Sequence, residues 1–283
     1  MSQEVAVERS DGSAIASSST TVDGGARRTF PRRRLLRIGL IAVSLAALFG
    51  LWLWASSRTA SYILPAPHQV WSAFKDEIQR GAWWTEIRAT LSHIASAFGL
   101  ILAIGLPLGI VIGRFWVVED LTRVLLIFLQ TVPTLVLIVI ALIAIGTDST
   151  AVVAVTVASG LTYFTLNVIQ GTRSIDQDLI DMAHAYGAGE RKIMRTIVLP
   201  SVVPYFLAGA RITLGVVWQV TLFAEYLMGT NGVGFQISSS IKLLDTASVF
   251  SWGLSIVALT ILFEYGIFRP VEFVLTRHSR QRR

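Results

Sequence analysis

The chain has 283 residues, 53% of them hydrophobic and only 15% charged, with a formal net charge of +6. A soluble domain carries roughly 25% charged residues, and the apolar residues here come in long blocks, so the composition excludes an ordinary soluble protein and points to an all-α integral membrane protein. Cysteine is absent, which removes disulfides, a thiol nucleophile and cysteine metal ligands.

The positive charge gathers at the two ends. Arg27, Arg28, Arg32, Arg33, Arg34 and Arg37 precede the first apolar run, and Arg277, Arg280, Arg282 and Arg283 close the chain. Arginines that flank apolar spans follow the positive-inside rule, so no nucleic-acid partner is expected. Residues 1–34 read as a disordered, basic cytoplasmic tail, rich in Ser, Thr and Gly and without apolar periodicity. The first span is expected from Leu35 to about Ala55, uncleaved, with Trp52 and Trp54 at its far interface. Leu64-Pro65-Ala66-Pro67 stops any helix. A short amphipathic helix follows from His68 to Arg80, with Val70, Trp71, Phe74 and Ile78 on one face and Gly81 at its end. It should lie at the outer surface, completing a region 35–86.

The remaining spans fall within a core of residues 87–273. Span two, about Ile87 to Gly113, has Gly105, Gly109 and Gly113 at every fourth position, a groove for a helix of this chain or another. Span three, about Val124 to Ile145, contains Pro133, which predicts a kink. Gly146 to Ser149 forms an outer turn. Span four runs from about Ala151 to Gln170, span five from about Tyr205 to Met228, and Gly229 to Gly234 forms a second outer turn. Span six is Val249 to Phe268, and residues 274–283 form a basic cytoplasmic tail. Six spans place both termini in the cytoplasm and put the 171–204 segment on the same side, in keeping with Arg173, Arg191, Lys192 and Arg195.

That segment is too long and too regular for a plain connector. Ser174 and Gln177 have capping-box spacing. Ile175, Leu179, Met182, Ala183 and Tyr186 recur at helical spacing, Gly187 is placed to take positive φ, and Gly189 and Glu190 start a second helix that Leu199-Pro200 closes. The predicted shape is helix, tight turn, helix, suited either to docking a cytoplasmic partner or to lying on lipid.

Among polar residues within spans, Gln130, Thr134, Asn167, Gln219 and Glu225 are the candidates for a translocation pathway. Arg211 is expected to snorkel or pair with a carboxylate. Glu264, near Arg269, reads as an interfacial or packing charge, and His93 as a lone histidine that needs no metal. No ligand cluster, nucleophile elbow or catalytic carboxylate pair is present.

The spacing of Asp181-Met182-Ala183, Gly187 and Ile197-x-Leu199-Pro200 resembles the EAA signature of ABC importer permeases, with Asp181 and Met182 departing from its Glu and first Ala. Leu64 to Trp71, Gly105-x-Pro107-x-Gly109-x-x-x-Gly113, Phe223-Ala-Glu225 and Gly232-Val-Gly234-Phe resemble the nitrate, sulfonate and taurine subgroup, over about residues 60–275. The resemblance implies a type I permease fold in a bacterial inner membrane. It also implies a coupling surface of Asp181, Met182, Ala183, Tyr186, Gly187, Ala188, Gly189, Glu190, Ile197, Leu199 and Pro200 that docks a cytoplasmic ATPase dimer. The other implied partners are a second permease copy and an extracytoplasmic solute-binding protein. No cofactor is expected in this chain. Its only lysines, Lys75, Lys192 and Lys242, do not follow a glycine, so it lacks a phosphate-binding loop and ATP must be hydrolysed by the partner. The solute is expected to be a small anion such as a sulfonate, taurine or nitrate, or a vitamin precursor. An ion-coupled secondary transporter is the alternative; it predicts paired discontinuous helices in both halves.

Overall fold

The computed structural model describes residues 30–263 and Gly266, with side chains from Gly39 to Leu262. The chain divides into two compact units at Leu51/Trp52. Helix α1, Phe30–Arg58, begins in the first unit. There its apolar side chains from Leu40 to Leu51 are exposed, as befits a helix that faces lipid.

The second unit is built of helices, with no strand among its described residues. Its helices are α2 (Pro67–Gln79), α3 (Ala82–Arg114), α4 (Trp116–Thr131), α5 (Thr134–Ala144), α6 (Ser149–Arg173), α7 (Gln177–Ala185), α8 (Glu190–Ile193), α9 (Leu199–Met228), α10 (Val233–Lys242) and α11 (Thr246–Phe263). Four described stretches are long and apolar enough to cross a membrane, or five if α4 and α5 make one broken span. Helix α11 is shorter within the described residues, and the end expected for span six lies outside them, as do Glu264 and Arg269.

The centre of this unit is α6, packed between α3 and α9. The glycine groove of α3 is filled within the chain. A Cβ on Gly109 would sit 2.6 Å from the Val168 side chain, and one on Gly113 would sit 2.7 Å from Thr172. Glycine at these positions lets the two backbones approach closely, which gives α3 and α6 their dispersion contact. Ile94, Ala97, Ile101, Phe164, Val168, Leu214 and Val217 form the core between the three helices. A second cluster joins Ile138 of α5 to Val152, Val155, Val220 and Met228.

Three expectations need correction. Span three is two helices meeting at 98°, a sharper break than the expected kink. Val132 and Pro133 are both extended, at ψ 124° and 130°, because a proline has no N–H and forces the preceding residue out of the helical region. Leu199-Pro200 closes nothing: α8 passes through a π-helical turn, Met194–Val198, directly into α9. The π-helical turn lies just before Leu199-Pro200, where the proline has no N–H to give to the helix ladder. The stretch after Gly232 is also more than a turn, since α10 follows at once. Helix α2 lies where expected, with the Gln69 side chain accepting the Ala66 N–H at 2.9 Å. Of its proposed apolar face only Val70 is buried, and Trp71 stays more than half exposed.

Candidate functional site

The 174–200 segment folds as helix, tight turn, helix. Its first helix is capped differently from the expected box. The Asp176 carboxylate accepts the Asp178 N–H at 3.0 Å, whereas the Ser174 hydroxyl donates to the Gly171 carbonyl at the end of α6. An aspartate cap also suits the positive end of a helix. Gly187 has φ +73°. Its N–H donates to the His184 carbonyl at 2.8 Å, and the Ala188 N–H reaches back to Ala183 at 2.9 Å. This is the αL turn that ends a helix and satisfies its last carbonyls.

The apolar residues of α7 divide between two directions. Ile180 is buried, with Ile175 and Ala183 packed beside it, and all three join the core cluster that includes Ile101 and Val202. Ile193 and Val198 enter the same cluster. Each such side chain contributes on the order of 1.5–3 kcal/mol by burial, so the segment is rooted in the helical core. Leu179, Met182 and Tyr186 point away from it, at 46%, 52% and 87% exposure. Of the expected stripe, Ile175 and Ala183 thus pack on the core while Leu179, Met182 and Tyr186 form an exposed apolar edge, and the buried Ile180 lies outside that stripe. Asp181, Gly187, Gly189, Glu190 and Pro200 are exposed, Leu199 just so, and Ala183, Ala188 and Ile197 are half-buried. Glu190 ties the two helices to α3. It accepts from Arg114 Nη2 at 2.8 Å and pairs with His184 Nε2 at 2.9 Å. Arg173 pairs with Glu119 across α6 and α4.

Of the polar span residues, Gln130 and Gln219 are exposed, and Thr134 and Asn167 are half-buried. Asn167 donates to the Tyr163 carbonyl. Gln130 lines a cavity of about 320 Å³ with Glu119, Arg123 and Arg173. The five pathway candidates do not converge on one cavity among those described. Arg211 lies on an exposed face of α9.

Glu225 stands apart, being fully buried. Its Oε2 accepts from Thr90 Oγ1 at 2.8 Å and from the Gly234 N–H at 3.1 Å, while Oε1 pairs with His93 Nδ1 at 2.8 Å. Nearby, Val233 N–H donates to Thr90 Oγ1 at 2.9 Å, Gly232 N–H to Glu86 Oε2 at 2.6 Å, and Gln236 Nε2 to Glu86 Oε1 at 2.9 Å. His93 is therefore no lone histidine. Glu86 and Thr90 are not among the residues that the sequence singles out, although Glu86, Thr90 and His93 stand four and three residues apart, a polar stripe on one face of α3.

Residues 105–268 match the family described as binding-protein-dependent transport system inner membrane component. The chain belongs to this family. Relatives include the taurine transport system permease protein TauC of Escherichia coli K12, 27% identical over 83% of this chain and 87% of that protein. The bicarbonate transport system permease protein CmpB of Synechocystis is 28% identical over 66% of this chain and 71% of that protein. A chain of the MetNI methionine ABC transporter, solved in inward-facing conformations, matches with a TM-score of 0.56 and 19% identity, over 66% of this chain and 93% of that one. The fold is therefore of the type I permease kind. This ABC transporter permease is a transport subunit of a membrane assembly, without a catalytic site of its own.

Proposed function

We propose that this permease forms the translocation pathway of an ATP-driven importer and takes its energy through the 174–200 segment. The observation that carries the reading is the exposed apolar edge of Leu179, Met182 and Tyr186 on a helix whose other side is buried in the core. An apolar edge on a rooted helix fits a groove in a partner protein. In this reading six spans place both termini, and the segment, in the cytoplasm of a bacterial inner-membrane protein. The partner is a cytoplasmic ATPase dimer that hydrolyses ATP, and a solute-binding protein delivers cargo from the opposite side. Two copies of the permease pair as a C2 homodimer. Gln130, Thr134, Asn167 and Gln219 contribute to the pathway. The solute is a small anion or zwitterion of the sulfonate, taurine, nitrate or bicarbonate kind, in line with the relatives named above, or a vitamin precursor. The family membership leaves no support for an ion-coupled secondary transporter.

The chain has no cysteine, so a single introduced thiol reports its own contacts. Tyr186→Cys should form a cross-link to the ATPase subunit in membranes, and Thr150→Cys, at the far end of α6, should not. Equal cross-linking of both, or of neither, overturns the docking assignment.

A further inference from the structure

Helix α10 begins with N–H groups that its own residues do not cap. Gly232, at the N-cap, has no side chain to turn back on them. Three consecutive amides, Gly232, Val233 and Gly234, are instead taken by Glu86, Thr90 and Glu225, two residues of α3 and one of α9. A helix start left without partners in a buried place is costly. Carboxylates there also gain from the helix dipole.

The fit leaves no slack. A Cβ on Gly232 would overlap the Glu225 carboxylate, and one on Gly234 would overlap the Leu222 carbonyl. Gly232 moreover has φ +99°, which a side chain would oppose. A buried carboxylate is expensive unless its oxygens are bonded. Both oxygens of Glu225 are bonded, and every partner belongs to α3 or α10. The two helices that supply these caps also meet the 174–200 segment at their other ends. Helix α3 does so through Arg114 and Glu190, and α9 through the unbroken passage from α8.

We propose that Glu225 is a positioning residue: with Thr90 and Glu86 it clamps the start of α10 to α3 and α9, so that a shift of the 174–200 segment reaches α10 at the far end of the molecule. This rests on the coupling role proposed above. Glu225 then holds a helix in place and does not touch solute.

The test uses the full permease assembled with its ATPase subunit in lipid nanodiscs, with amide hydrogen exchange read in the presence and absence of ATP and vanadate. In the native protein, trapping should change exchange in both 177–193 and 233–242. Glu225→Gln and Thr90→Val should let the Val233 and Gly234 amides exchange about ten- to a hundredfold faster. They should also abolish the trapping response of 233–242 and leave that of 177–193 in place. Thr90→Ser, which keeps the hydroxyl, should restore the native pattern. If 233–242 still responds in both Glu225→Gln and Thr90→Val, the clamp is overturned while the coupling role stands. If 177–193 ignores trapping in the native protein, the coupling role falls and the clamp with it.

Discussion

Gly187 sits at φ +73° with open space where a Cβ would go, so a side chain there meets backbone strain and no neighbour. An L-residue in this region costs about 1–2 kcal/mol, and more when β-branched, whereas asparagine visits it readily. Gly187→Val should therefore reduce ATP-driven uptake by about five- to thirtyfold with normal amounts of protein in the membrane, and Gly187→Asn should stay close to native. Immunoblots of membranes beside uptake rates check both. Gly109 presents the opposite case. Its backbone is ordinary, but the Val168 side chain occupies the place of a Cβ. Gly109→Val should cost about 1–3 kcal/mol through overpacking and separation of α3 from α6. Gly215→Ala, with nothing within 4 Å, should leave the melting temperature in detergent unchanged.

Between elements, magnitudes decide which contact holds the 174–200 segment. The Arg114–Glu190 pair is largely exposed on its carboxylate side, and such pairs contribute about 0–1 kcal/mol. Ile193 is almost wholly buried in the core, and truncation of a buried isoleucine costs about 2–5 kcal/mol. Ile193→Ala should thus loosen the segment, seen as faster hydrogen exchange over 177–198 and loss of copurifying ATPase subunit. Arg114→Ala should change both only slightly. The reverse order would mean that the ion pair, and not burial, roots the segment. The break between α4 and α5 follows from one residue, since Pro133 removes an N–H and holds Val132 extended. Its angle, however, is set by the packing of α5 on α6 and α9, around Ile138, Val152 and Val220.

At the scale of the whole molecule, the 174–200 segment and the Glu225 clamp stand at opposite ends of α3 and α9, and α6 fills the space between those helices. A permease built this way can pass a push from one end to the other as a body movement, because a close-packed core deforms little. Native mass spectrometry of the assembled transporter should find two copies of this chain with two of the ATPase subunit. A single permease copy, or two different permease chains, would contradict the homodimer.

The membrane class, the helical stretches and the turn at Gly187 were legible in the chain, because each depends on local chemistry: apolar length, helical period and a residue free to take positive φ. The αL turn at Gly187 stands as expected, and helix α2 ends at the expected place. Local pattern could not divide the stripe of Ile175, Leu179, Met182, Ala183 and Tyr186 into core-packed Ile175 and Ala183 and exposed Met182 and Tyr186, because the period shows only that they share a side of the helix, and it left out the buried Ile180. Nor could it show that Gly109 meets Val168, that the Pro133 break reaches 98°, or that His93 and Glu225, far apart in the chain, share a hydrogen bond. Those outcomes depend on which helix lies beside which. That choice is made by packing across long sequence separations, and only the tertiary structure contains it.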